Sequence, residues 1–96
     1  MKVPILLPKI FNHPFTYETN LKLRLGDYVE VPFGKTKSVG VVWDEFEKNT
    51  EKKFQTKKII KKLQIPNLNK KMVNFLNWFA EYNVIPKGMA LKLSLL

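Results

Sequence analysis

The sequence contains no cysteine, a single histidine and only eight acidic residues among its 96. The lack of cysteine excludes disulfide bonds, thiolate zinc sites and cysteine nucleophiles, and it fits a reducing compartment. Because His13 is the only histidine, neither a multi-histidine metal site nor a Ser-His-Asp relay can be assembled. The sequence therefore predicts no metal site, no cofactor and no catalytic residue.

Long apolar runs are also missing. No segment approaches the ~20 consecutive apolar residues of a membrane-spanning helix, and the run from Met1 to Pro8 is too short and too interrupted by proline for a signal peptide. We therefore expect a soluble cytoplasmic protein. A chain of 96 residues supports one modest core, so we expect a single domain over 1–96, the alternative being a β subdomain over 1–65 with a helical extension over 66–96.

Positive charge dominates what is present. Seventeen lysines and arginines against eight acidic residues give a net charge of +9, which attracts phosphate backbones and makes nucleic acid the leading partner class. Sixteen of the seventeen basic residues are lysine, a bias that an AT-rich genome also produces without selection for binding. The densest cluster is Lys57, Lys58, Lys61 and Lys62, which fits either phosphate contacts or a solvated face.

Residues 27–43 carry the strongest strand signal. Apolar residues alternate with period two, with Val29 and Val31 in the first half and Val39, Val41 and Trp43 in the second. Between the halves, Gly34 readily takes the positive φ that a sharp reversal requires. The pattern predicts a half-buried hairpin whose turn exposes the backbone of Gly34 beside the charge of Lys35.

The remaining β signals are weaker. Residues 2–7 form a short apolar run with Pro4 inside it, typical of an edge strand or of a segment that leads into a strand. Phe15–Tyr17 are β-favouring residues and predict a second short strand. Segment 56–63 fits a strand or a helical face equally well, so periodicity leaves it open. We predict a mainly β α+β fold, either a small OB-like β-barrel or a twisted antiparallel sheet, with one C-terminal amphipathic helix.

That helix is predicted to begin after Asn69, which can cap it, and to end near Asn83, ahead of Pro86. Its apolar face consists of Met72, Val73, Leu76, Phe79 and Ala80. The rings of Phe75, Trp78 and Phe79 are assigned to packing. Residues 88–96 fit either a short helix or a strand.

Three further rings, those of Phe15, Tyr17 and Phe33, lie beside proline or glycine. Such rings can remain partly exposed and stack on an unpaired base. The competing interpretation is that all three belong to the core, where aromatic residues dominate in small domains.

Several blocks, taken in order, form a combination that is more specific than any one of them: residues 3–7, 14–17, 26–35, 39–43, 57–63 and 78–82. Together they resemble the amino-terminal domain of primosomal protein N-prime, the bacterial replication-restart helicase family. The resemblance implies an OB-like domain that captures the 3′ end of a nascent leading strand at a stalled fork. It also implies single-stranded DNA with a free 3′ end and forked DNA as partners, a nucleoid-associated location and, in full-length relatives, contacts with primosome proteins and single-stranded-DNA-binding protein.

The same resemblance implies which residues bind DNA. It carries over Phe15, Thr16, Gly34 and Lys57, and their neighbours Tyr17, Lys35 and Lys58 complete the expected set. Many family members have aspartate where Thr16 stands, and a carboxylate accepts stronger hydrogen bonds than a hydroxyl does. The family's helicase lobes and zinc-binding cysteines have no counterpart in these residues, so we expect no enzymatic activity from them.

Two other functions stay open at this stage. One is a docking domain of a larger protein that uses Leu91, Leu93, Leu95 and Leu96 as its interface. The other is an SH3-like module that binds RNA or the ribosome, because Gly-Asp-x-Val-x-Val hairpins like residues 26–31 also occur in such barrels.

Overall fold

The computed structural model describes residues 1–46 and 57–95. The elements in chain order are β1 (Lys2–Leu6), β2 (Phe15–Glu18), β3 (Tyr28–Phe33), β4 (Thr36–Val42), β5 (Lys61–Lys62), α1 (Lys70–Asn83) and α2 (Lys87–Ser94). The strands form one five-stranded sheet in the order β2-β1-β4-β3-β5, and all neighbours are antiparallel. This confirms the predicted mainly β α+β class, and the structure has two C-terminal helices where the sequence predicts one.

Periodicity left segment 56–63 open: residue 56 lies outside the described residues, and residues 57–63 are extended and contact β2 at their start and β3 at their end. At its start, the Glu18 N–H donates to the carbonyl of Lys57 and the Ile59 N–H donates to the carbonyl of Glu18, both at 2.9 Å. At its end it becomes β5 and pairs with β3. This bridging segment connects the two sides of the sheet, but over the described residues the sheet is not closed into a barrel.

Strand β1 is an interior strand, so of the two alternatives for residues 2–7 the edge strand is wrong. It pairs with β2 on one side and with β4 on the other. The backbone N–H and C=O of Glu18 point away from β1, towards the bridging segment. Because this direction alternates along a strand, the backbone groups of Thr16 also point away from β1. Pro4 lies opposite Thr16, so it makes no hydrogen bond to β2. Towards β4, the Pro4 carbonyl accepts from the Trp43 N–H at 2.9 Å. The N–H that Pro4 lacks would face Trp43, which lies just after the end of β4, so the proline interrupts no hydrogen bond within the sheet.

Each face of the sheet carries a core of its own. The first core consists of Val3, Ile5, Leu7, Tyr17, Val29, Val31, Val42 and Ile59, with Phe15, Leu23 and Phe33 packed against it. The second consists of Leu6, Val41, Trp43, Val73, Leu76, Ala80, Ala90 and Leu91. Because side chains alternate, neighbours such as Val41 and Val42 contribute to opposite cores. The helices therefore cover one face, and the aromatic ends of β2 and β3 lie on the other.

Helix α1 begins and ends where the sequence predicts. The Asn69 side chain accepts from the Met72 N–H at 2.8 Å and caps the first turn, and Val84 ends the helix in a left-handed conformation with φ 54°. None of the helices in the described part of the chain is long and apolar enough to cross a membrane.

The packing assigned to the aromatic residues of α1 is wrong for Phe75 and Trp78. Their side chains are 49% and 56% exposed, whereas Phe79 is partly buried against the second core. The buried residues of the helix form a narrow stripe made of Val73, Leu76 and Ala80. At 3.6 residues per turn, Phe75 and Trp78 fall outside that stripe and face solvent.

Candidate nucleic-acid interface

The Phe15–Tyr17 segment and the β3–β4 turn meet on the face of the sheet that the helices leave uncovered. The rings of Phe15 and Phe33 approach edge to face with centroids 6.0 Å apart. The Tyr17 hydroxyl donates to the carbonyl of Pro32 at 2.9 Å. Because Phe33 immediately precedes Gly34, the structure brings the two predicted segments into direct contact.

The turn itself is a two-residue loop, Gly34–Lys35, closed by the pairing of Phe33 with Thr36. Gly34 has φ +61°, and among the described residues Val84 is the only non-glycine with a positive φ. A positive φ at the first loop position alone is the type II′ pattern, which favours glycine there. A Cβ added at Gly34 would meet nothing within 4 Å, so its backbone is open to a ligand. The Lys35 side chain is also exposed.

The lysine pair Lys57 and Lys58 lies in the bridging segment, beside Glu18 at the end of β2. Both side chains are exposed, and their backbone is held against Glu18, the residue after Tyr17. Glu18 lies three positions along the strand from Phe15, about 10 Å at the usual rise. The lysines therefore stand at the far end of β2 from the aromatic contact, where they suit an upstream phosphate.

Thr16 does not share a face with its neighbours. The rings of Phe15 and Tyr17 belong to the first core, so alternation along β2 places the Thr16 side chain on the opposite face. Its backbone N–H and C=O point away from β1, in the same direction as those of Glu18. Thr16 therefore presents main-chain groups at the outer edge of β2, and its hydroxyl lies apart from the Phe15 ring.

The Tyr17 side chain lies in the first core and contacts the site through its hydrogen bond to Pro32. The residue is 5% exposed, so its ring is not available for stacking, whereas Phe15 and Phe33 are half-buried. Burial raises the pKa of the Tyr17 hydroxyl, which keeps it protonated and donating to Pro32. Of the three rings whose exposure the sequence left open, two can contact a ligand and one belongs to the core.

Sequence reasoning missed two further members of this aromatic cluster, Phe11 and His13. The Phe11 ring lies 5.0 Å from that of Phe15 and 6.1 Å from that of Phe33, and the His13 ring lies 5.0 Å from that of Phe15. Lys9 places its ammonium 5.1 Å from the centre of the Phe33 ring. The sequence signal for this cluster is the series of ring side chains at alternate positions 11, 13 and 15, close to Lys9.

The ion pairs found within ranges 1–46 and 57–95 lie outside the lysines of the candidate site. The ion pairs of the described residues join Lys37 to Glu30 at 3.8 Å, Lys62 to Asp27 at 3.6 Å and Lys87 to Glu45 at 2.8 Å. None of these pairs involves Lys35, Lys57 or Lys58. Within ranges 1–46 and 57–95, no cluster of acidic or histidine side chains could hold a metal ion.

The docking surface proposed for the last leucines is only partly exposed. Leu91 is fully buried in the second core, so its assignment to an interface is wrong. Leu93 and Leu95 are exposed, and Leu96 lies outside the described residues.

Comparison with known proteins adds the family to this geometry. The family model of the PriA 3′DNA-binding domain (3′BD) matches residues 2–95. The chain belongs to this PriA domain family. It is also 30% identical over 93 residues to the replication restart protein PriA of Rickettsia conorii, an alignment that covers 95% of this chain and 14% of that protein. The resemblance to the replication-restart helicase is thereby confirmed.

Membership in the PriA 3′ DNA-binding domain family supports a DNA-binding role in replication restart. The chain corresponds to one domain of PriA and contains no helicase motor domain. No enzymatic activity is therefore expected of these residues.

Proposed function

We propose that the chain, acting as one module over 1–96, binds the 3′-hydroxyl end of single-stranded DNA at stalled or branched replication forks. The proposed ligand is the end of a nascent leading strand in the bacterial nucleoid. The proposed contacts are Phe15, Thr16, Gly34, Lys35, Lys57 and Lys58, and buried Tyr17 holds the turn through its hydrogen bond to Pro32. In a longer PriA protein, the same module would act beside primosome proteins and single-stranded-DNA-binding protein.

The observation that carries the proposal is the meeting of three chain segments around β2. The contact between the Phe15 and Phe33 rings joins β2 to the β3–β4 turn, and the hydrogen bond from Tyr17 to Pro32 supports this contact. The backbone hydrogen bonds of Glu18 join β2 to the segment that carries Lys57 and Lys58. Half-buried rings suit a terminal base, and the open backbone of Gly34 suits a sugar hydroxyl. Lysine ammonium groups suit the phosphates that precede it.

Selectivity for an end is proposed to come from sterics and hydrogen bonding together. A terminal sugar between the edge of β2 and the Gly34 turn leaves no exit for a further phosphate, so an internal nucleotide is excluded whatever its base. Thr16 contributes main-chain groups at this edge, which are the same for threonine as for the aspartate of other family members. End recognition therefore survives that exchange, while affinity and base preference respond to the weaker side chain.

The proposal predicts that the chemistry of the strand terminus controls binding. A fluorescein-labelled oligothymidylate with a 3′-hydroxyl should bind at least tenfold more tightly than the same strand with a 3′-phosphate, because the phosphate adds both bulk and charge at a closed end. Fluorescence anisotropy at fixed salt measures both dissociation constants. A strand carrying a 5′-phosphate is the control for charge alone, and equal affinity of the two 3′ forms contradicts the proposal.

The lysines are predicted to act through phosphate. Changing Lys57 to Ala should weaken binding and lower the magnitude of the slope of log K against log salt by about 0.7, the value for one contact with a single strand. Lys92→Ala, which removes the same charge from an exposed position on α2, is the matched control and should leave the slope unchanged. If both variants behave alike, Lys57 acts only through net charge.

A further inference from the structure

Helix α1 displays three large rings to solvent, those of Phe75, Trp78 and Tyr82, here called the aromatic face. Their residues are 49%, 56% and 72% exposed. The rings contact one another along the helix, with centroids 6.0 Å apart for Phe75 and Trp78 and 5.1 Å for Trp78 and Tyr82. The second pair is nearly parallel, with planes 17° apart. None of the three rings belongs to either core, although Phe75 also stacks on Phe79, which packs against the second core.

A contiguous exposed aromatic row marks an interaction surface rather than ordinary surface variation. Single exposed apolar residues are common, but these three follow the i, i+3, i+7 spacing of one helix face. The buried stripe of Val73, Leu76 and Ala80 lies on another side of the same helix. The fold therefore holds the helix through one side and leaves the rings free on the other.

The charges around the aromatic face identify its partner. Lys71 precedes Phe75 by four residues, so its exposed side chain lies on the same face. Glu81, three residues after Trp78, is exposed and lies at the flank of this face rather than in line with the rings. Among the described residues after β4, Asp44 accepts from the Asn77 amide at 3.1 Å, and Glu45 accepts from Lys87. Rings beside a lysine, on a chain of net charge +9, complement unpaired bases joined by phosphates.

We propose that the aromatic face is a second DNA-binding surface, which holds an internal stretch of single-stranded DNA by stacking bases on Trp78 and Tyr82, with Lys71 beside the phosphates. It differs from the end site in position, because α1 covers the second core whereas Phe15 and Phe33 pack on the first. The two surfaces therefore lie on opposite faces of the sheet. This surface needs no free terminus.

A circular single strand tests this surface separately, because it has no 3′ end. The full chain should bind a circular thymidylate 30-mer, and Trp78→Ala or Tyr82→Ala should each weaken that binding between about fivefold and about 150-fold, the range for one lost stack. Leu93→Ala removes a non-aromatic side chain that is 53% exposed, so it is the matched control and should change nothing. Thermal unfolding should be the same for all four proteins, since the altered side chains are exposed.

Fluorescence supplies a second readout of stacking. The chain has two tryptophans, Trp43 and Trp78, and Trp43 is 2% exposed. The circular strand should quench Trp78 emission by stacking, whereas Trp78→Phe should retain most of the affinity and lose most of the quenching.

Two results overturn the inference. One is unchanged affinity of Trp78→Ala and Tyr82→Ala for the circular strand. The other is a dimer in sedimentation that Trp78→Ala converts to monomer while DNA affinity stays constant, which assigns the face to a second copy of the chain. If the variants bind the circular strand more weakly but a 3′-phosphate does not change the affinity for a linear strand, the proposed end site is contradicted and the aromatic face is supported. If a 3′-phosphate weakens binding of a linear strand but the variants bind the circular strand as tightly as the original chain does, the aromatic face is contradicted and the end site is supported.

Discussion

Replacing Gly26 with alanine should destabilise the fold by about 4 kcal/mol or more, an exceptional cost for a single methyl group. Gly26 has φ +88°, and an added Cβ would overlap the carbonyl oxygen of Leu68. Neither side can retreat, because the Gly26 N–H donates to Val42 and its carbonyl accepts from the Leu68 N–H, both at 2.8 Å. Because domains of this size have a total stability of roughly 5–15 kcal/mol, the variant should be near its unfolding threshold.

Gly34→Ala is the matched control for this experiment. Gly34 also has a positive φ, +61°, but an added Cβ there meets open space. Only the conformational cost of a left-handed alanine remains, about 1–2 kcal/mol. Urea unfolding followed by circular dichroism measures both values. Equal losses in the two variants contradict the overlap with Leu68 and attribute the whole effect to φ.

Gly88→Ala should cost about 3 kcal/mol, through overpacking against backbone that cannot move aside. Gly88 lies in the first turn of α2, and an added Cβ would approach the carbonyl oxygens of Leu7 and Phe11 at 2.5 and 2.9 Å and overlap that of Lys9. The Gly88 N–H also donates to Phe11 at 3.0 Å. The helix must then move away from the loop between β1 and β2.

The same substitution should reach the candidate site. That loop carries Phe11 and His13, whose rings contact Phe15, and α2 is fixed to it a second time where the Lys87 N–H donates to the Asn12 side chain at 3.0 Å. Gly88→Ala should therefore weaken binding of a 3′-hydroxyl strand under conditions where the variant is still folded. Lys92→Ala on the same helix should preserve stability, and a Gly88→Ala protein with unchanged unfolding free energy contradicts the packing described for α2.

Local patterns predicted the hairpin and α1 because each depends on residues close in sequence. The alternation of Val29, Val31 and Val41 and the glycine at position 34 specify β3, β4 and their turn, and Asn69 specifies the start of the helix. The bridging segment could not be assigned in this way. Its conformation depends on two partners, β2 and β3, that are distant in sequence.

The aromatic residues show a different limit of sequence reasoning. An apolar residue inside a helical pattern is expected to pack, but the pattern does not reveal how wide a stripe the sheet and α2 can cover. Phe79 lies near enough to the second core to be partly buried, whereas Phe75 and Trp78 are exposed to solvent. In the candidate site, the family resemblance identified Phe15 and Gly34 from the sequence. Phe11 and His13 could be identified only once the structure showed that the β1–β2 loop brings their rings to Phe15.

The identity of β5 also affects how the protein behaves at high concentration. An outer strand with unpaired backbone groups is a template on which a second molecule can add a strand. Here that strand is two residues long, and both are lysine, a combination of shortness and charge that discourages such growth. On the opposite side, Glu18 already uses its outward backbone groups within its own chain. The lysine-rich stretch thus guards against intermolecular β-sheet aggregation, whether or not any of its ammonium groups touches DNA.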